Sequence, residues 1–293
     1  MAGNKMDLLQ LMLLLQLWIG VLTLTEAVRS LDEGVLTLTA PVSSGNDSDP
    51  PVRGDIYSNG KIYDITHLIN PKMPKWGSPD GMGQVVTIID DMQEGAEAYT
   101  SEMDLPSHTG THVNAPSHFF EDYFEQGFDT STLSLKTLNG PALVVDVPRN
   151  TNITAEVMRN LQIPQGIHRL LFRTLNTDRK LMYQSKFHSD YVGITGNGAN
   201  WIVDNTNIKL VGIDYLSIAT YTDAVPTHHA LLRSREIVIV EGLKLDNVKA
   251  GIYDLHCLPL RVLGAEGTPA RCILMSSNFQ ASDFMSKDFV PLL

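Results

Sequence analysis

The chain of 293 residues is poor in cysteine, with two, and poor in cations, with 22 Lys and Arg against 33 Asp and Glu. Two cysteines exclude a disulfide-dense scaffold and a zinc site built from cysteine alone. The net charge of −11 argues against nucleic acid or an anionic membrane as the main partner, because phosphate recognition needs clustered Lys and Arg. Only one apolar run approaches spanning length, and the sequence contains no internal repeat. At 43% hydrophobic and 19% charged, it is neither a disordered chain nor a coiled coil. The length allows one large α/β domain or two small ones.

The single apolar run, Leu8 to Leu24, follows Lys5 and precedes the small residues around Glu26-Ala27. That order is the order of a secretory signal peptide, and we assign 1–27 to it. An uncleaved anchor is the alternative reading; the shortness of the run and its glutamines favour cleavage. Residues 28–60 read as a flexible linker, since 15 of the 20 residues from Pro41 to Gly60 are Gly, Pro, Ser, Asn or Asp. Residues 61–293 form the expected folded domain. Asn46-Asp47-Ser48 and Asn152-Ile153-Thr154 match the glycosylation pattern of a secreted glycoprotein, although Thr154 has an equal claim as a helix N-cap.

Apolar runs of strand length lie at Gln84–Ile89, Ala142–Val147, Arg169–Arg173, Leu210–Ile213, Ile237–Val240, Tyr253–Val262 and Arg271–Met275. Helices are expected at Ala155–Leu161, Gly198–Asn205 and Thr227–Arg235. Strands mixed with short helices indicate one α/β domain.

Histidine carries the chemistry. Five of the nine histidines fall in two short clusters. The first is Ser107-His108-Thr109-Gly110-Thr111-His112-Val113-Asn114-Ala115-Pro116-Ser117-His118. Gly110 and Pro116 oppose a helix, and Thr109, Thr111 and Val113 are β-branched. An extended segment would place His108, Gly110, His112 and Asn114 on one face, with room for an ion between the imidazoles. Neutral imidazole is a ligand for zinc and similar cations, and His118 just beyond could move protons. The second cluster pairs His228 and His229, opening a short helix, with Glu241 at the end of an apolar strand.

The first cluster closely resembles the signature His-Thr-Gly-Thr-His-Val-Asp-Ala-Pro-x-His-Phe of the cyclase family of metal-dependent hydrolases. That family includes kynurenine formamidase, isatin hydrolase and a secreted plant cyclase-like branch. The resemblance runs from Tyr63-Asp64-Ile65-Thr66-His67 to Arg271-Cys272-Ile273-Leu274, through Asn139-Gly140-Pro141-Ala142, Leu171-Phe172-Arg173-Thr174, Leu210-Val211-Gly212-Ile213-Asp214, Glu241-Gly242-Leu243 and Leu258-Pro259-Leu260. It implies a single swivelling β/β/α domain and a Zn²⁺ or Mn²⁺ site. It implies His108, His112, Asn114, His228 and Glu241 as metal ligands and His118 as the catalytic histidine. His229 competes with His228 for its place, and the preceding turn favours His228. The implied reaction is hydrolysis of a non-peptide amide or lactam, in the best-known case N-formylkynurenine to kynurenine and formate in tryptophan catabolism. An extracellular location (apoplast or cell wall in a plant) and a homo-oligomer, dimer or tetramer, are also implied.

Asn114 departs from the pattern, which has Asp there. An amide offers a neutral carbonyl oxygen and bridges two ions poorly. An alternative is therefore a secreted, catalytically weakened protein that binds or regulates in the extracellular matrix. A metal-storing protein fits less well, since carboxylates are few. Cys257 and Cys272 read as buried free thiols, with a disulfide open if their strands pair. Trp76, Met73 and Met82 suit either a substrate-covering loop or the core edge. Asp64 and Asp214 read as turn supports.

Overall fold

The computed structural model describes residues 56–57 and 60–276. The leader over 1–27, nearly all of the linker over 28–60 and Asn46 lie outside the described residues. The strands are β1 (Ile56–Tyr57), β2 (Gly60–Asp64), β3 (Val86–Asp90), β4 (Thr100–Met103), β5 (His112–Asn114), β6 (Asn139–Asp146), β7 (Arg169–Arg173), β8 (Leu210–Ile213), β9 (Val238–Glu241), β10 (Gly251–Pro259) and β11 (Gly267–Ser276). The longer helices are α1 (Ala155–Asn160), α2 (Gly196–Asn205) and α3 (Ala224–Leu232). β1 reaches back into the segment expected as linker.

Nine strands form one sheet in the order β1-β2-β11-β10-β6-β7-β8-β9-β5, and β5 pairs back onto β11 to close it. This is the swivelling β/β/α architecture with a closed, barrel-like core. The pairs β6–β7, β7–β8 and β8–β9 are parallel. Parallel neighbours need crossovers, and α1, α2 and α3 supply one for each pair. Burial on both faces explains why β7, β8 and β9 are continuous apolar runs rather than alternating ones.

Side chains alternate between two cores. Phe172, Ile213 and Ile239 pack against the helices with Ile202 and Leu231. Leu171, Leu210 and Val240 fill the sheet interior with Val144, Leu255 and Leu274. Burying each such side chain contributes about 1.5–3 kcal/mol before entropy is charged. Thr154 caps α1, its hydroxyl accepting the Val157 N–H at 3.3 Å.

Two expectations change. The Gln84–Ile89 run joins no large sheet; β3 and β4 form a separate hairpin, with Ile88, Ile89 and Met103 exposed. The free-thiol reading of Cys257 and Cys272 is overturned. β10 and β11 pair with these residues directly opposite, and the two are joined by a disulfide. Each run alone shows only a buried cysteine; antiparallel register brings the sulfurs together. Among the described residues no helix is long and apolar enough to cross a membrane.

Candidate metal centre

The extended segment expected from His108 to Asn114 is shorter in the fold. Only His112–Asn114 is strand, because Gly110 turns the chain with φ +61°. Gly242 mirrors it with φ +66°, and a Cβ there would lie 2.1 Å from the Gly110 carbonyl oxygen. Only glycine permits this conformation and this approach. The close packing sets the motif against the end of β9, where Thr111 donates its hydroxyl proton to the Gly242 carbonyl. β5 also pairs with β9 so that His112 faces Glu241 in register.

The fold brings His108, His112, Asn114, His118, His228 and Glu241 together. His112 Nε2 lies 3.0 Å from Glu241 Oε2, and His228 Nε2 lies 3.5 Å from Glu241 Oε1. Glu241 Oε1 accepts the Ile218 N–H at 2.6 Å. His108 Nδ1 is 2.9 Å from Asn114 Oδ1. The His118 ring lies 4.1 Å from that of His108 and 5.8 Å from that of His228. His228 sits in the second turn of α3 rather than opening it, and points inward. His229 points away and stacks on Phe120. One residue along a helix is a rotation of about 100°, so both cannot face the centre.

The donors suit a cation. His112 Nδ1 donates to the Gly110 carbonyl at 2.9 Å, and His228 Nδ1 to the Ala224 carbonyl at 2.7 Å. A neutral imidazole so anchored carries a lone pair on Nε2. Both lone pairs face Glu241. Imidazole nitrogens without a proton therefore face the Glu241 carboxyl group inside the protein. His112 Nε2 and Asn114 Nδ2 are buried without a hydrogen-bond partner. Such groups cost about 1–3 kcal/mol each unless something satisfies them. A divalent cation held by imidazoles and a carboxylate would take the His112 Nε2 lone pair, and one neutral amide oxygen is compatible with it, although the Asn114 Nδ2 donor gains nothing from a cation.

Burial, then the neighbouring His108, pushes His118 down to about 3. The ring is neutral at physiological pH and has a nitrogen free to accept a proton.

One residue escaped the sequence reading. Glu266 Oε1 lies 3.1 Å from His108 Nε2 and accepts the Ser107 hydroxyl at 3.0 Å. Ligand atoms of His108, His118 and Glu266 lie within 4.8 Å of one another, as do those of His108, His112 and Glu241. Glu266 precedes a strand and lies some 150 residues from the motif, so no local pattern marks it.

Asp64 and Asp214 act as expected. Asp64 accepts the Thr66 N–H at 3.1 Å and pairs with Arg271. The loop with Met73 and Trp76 divides by residue. Met73 is buried under Gly110, whereas Trp76 stays 49% exposed beside Phe187 and Tyr221.

The family model described as "Putative cyclase" matches residues 63–220. "Cyclase-like protein 2" of Arabidopsis thaliana is 56% identical over 238 residues, covering 81% of this chain and 88% of that one. "Kynurenine formamidase" of Erythrobacter litoralis is 28% identical over 218 residues, covering 74% of this chain and 94% of that one. The solved "predicted metal-dependent hydrolase from Bacillus stearothermophilus" superposes with a TM-score of 0.62 at 31% identity, covering 74% of this chain and 99% of that one.

Proposed function

Since the chain belongs to the putative cyclase family of metal-dependent hydrolases, we propose that it hydrolyses the C–N bond of a small non-peptide amide, an aryl formamide such as N-formylkynurenine by analogy with its formamidase relative. The observation that carries this reading is the convergence of His112 and His228, each anchored through Nδ1, on the buried Glu241 carboxyl group. His108, His112, His228 and Glu241, with the Asn114 carbonyl, would hold Zn²⁺ or Mn²⁺. Such a cation supplies Lewis acidity toward a carbonyl oxygen and a water. His118 takes the proton of the attacking water and returns it to the leaving nitrogen. Buried walls around His112 and Glu241 keep bulk water from competing.

The aromatic side chains support an aryl substrate. Trp76 is 49% exposed and packs beside Tyr221, and Tyr221 lies three residues beyond Ile218, whose N–H contacts Glu241. A planar ring can stack there. The leader sequence and the Cys257–Cys272 disulfide support a secreted protein. The exposed apolar side chains of the β3–β4 hairpin support self-association.

Asn114 favours a second reading, a secreted binding or regulatory protein with a weakened centre. One experiment separates the two. Purified mature protein is assayed for bound metal by elemental mass spectrometry and for hydrolysis of aryl formamides and lactams, beside Asn114→Asp and His112→Ala. Metal near one equivalent with turnover in the wild type supports the enzyme. Turnover only in Asn114→Asp supports the second reading. No metal after incubation with Zn²⁺ or Mn²⁺ sinks the hydrolase.

A further inference from the structure

His108 is anchored differently from the other two imidazoles. His112 and His228 each donate Nδ1–H to a backbone carbonyl. The nitrogens of His108 face two side-chain acceptors instead, Asn114 Oδ1 at Nδ1 and Glu266 Oε1 at Nε2. A neutral ring has one N–H to give. A carboxylate attracts it more strongly than an amide oxygen does. The proton therefore belongs on Nε2, toward Glu266, and the Nδ1 lone pair stands beside the Asn114 carbonyl.

The surroundings build this contact. Asn114 and Gly267 are register partners where β11 closes onto β5, so Glu266 arrives alongside Asn114. The Ala115 N–H donates to the Glu266 carbonyl at 2.8 Å, which fixes its backbone. The Ser107 hydroxyl holds the same Oε1 that faces His108. Gly267 leaves the space the ring fills, since a Cβ there would lie 2.5 Å from His108 Cε1. Charge points the same way: of the five side chains assigned to the cation, only Glu241 is anionic, and an uncompensated charge in a buried centre is costly.

We propose that Glu266 is a positioning residue of the metal centre: by accepting Nε2–H it fixes the His108 tautomer, turns Nδ1 with the Asn114 carbonyl toward the cation, and supplies a second negative charge through the ring. This rests on the metal-centre reading above. A carboxylate behind a liganding imidazole raises its basicity, and losing such a partner typically weakens metal binding about 10–100-fold.

The test measures Zn²⁺ affinity by chelator competition for wild type, Glu266→Gln and Glu266→Asp, and reads the His108 tautomer from ¹⁵N chemical shifts of the metal-free protein. Expected are an affinity loss of about 10–100-fold in Glu266→Gln, substantial recovery in Glu266→Asp, and a proton on Nε2 of His108 in the wild type. Equal affinity in wild type and Glu266→Gln overturns the inference and leaves the metal centre standing. A wild-type proton on Nδ1 overturns it as well. A second bound ion lost with Glu266→Gln would make Glu266 a ligand in its own right, which also overturns it. Wild-type protein that takes up no metal overturns this inference and the metal-centre reading together.

Discussion

Two buried carboxylates of this fold sit at the ends of neighbouring strands, and their surroundings are opposite. Asp214, just past β8, accepts from the backbone N–H groups of Thr174 and Thr177, from both threonine hydroxyls and from the Asn176 amide. Glu241, ending β9, accepts one N–H, from Ile218, and otherwise faces imidazole nitrogens whose protons are committed elsewhere. Both are almost fully buried. Asp214 is satisfied by the protein's own donors and ties the turn after β7 to β8. Glu241 is left with few donors of the protein's own and stands where a cation could join His112 and His228. Burial does not separate structure from function here; the donor count does.

The sharpest way to break the contrast is Glu241→Gln. Metal should be lost and hydrolysis should fall to background, while the metal-free protein melts at the same temperature or higher, because a buried charge has gone and the new amide can donate to His112. A lower melting temperature with metal retained would mean that Glu241 is structural after all.

His118→Ala should keep its metal and lose about 10²–10⁴-fold in rate, the usual contribution of a positioned acid–base group. The pH profile sharpens this. The base must be neutral, and its pKa is depressed to about 3, so the neutral form persists well below the ordinary histidine value of 6.5. Protonation of His118 should therefore cause no fall in kcat/KM between pH 7 and 5. An acid limb centred near 6.5 with metal still bound would place the base elsewhere.

Asp214→Ala should destabilise the fold by about 3 kcal/mol, since several buried donors lose their acceptor together. Denaturant unfolding measures it, and metal affinity of the folded fraction should stay unchanged. An altered affinity would couple Asp214 to the centre and end the contrast.

The smallest effect concerns Trp76. Trp76→Ala should raise KM for an aryl formamide about 5-fold with kcat nearly constant, equivalent to about 1 kcal/mol of stacking. An equal KM for aryl and alkyl formamides in the wild type would remove the aromatic face from recognition.

The sequence was a good guide wherever chemistry is local. Arg169–Arg173 and Leu210–Ile213 form strands with the expected bounds, because continuous apolar runs between turns have few other uses. Thr154 caps α1 as its position suggests. The His108–His118 motif marked a candidate metal site because its groups are close along the chain, and Gly110 and Gly242 take the tight turns that seat it. The choice of His228 over His229 was a matter of helical phase, which depends on where α3 begins.

What only the tertiary structure decided involves partners far apart in sequence. The Cys257–Cys272 disulfide follows from antiparallel register, which no single strand contains. Glu266 reaches His108 only because β11 closes the sheet onto β5, and its role has no local signature. Local propensity and periodicity fix elements and motifs through interactions of a few residues. The meeting of His108 with Glu266 and of His112 with Glu241 is set by contacts across 100 residues and more, and those exist only once the sheet has closed.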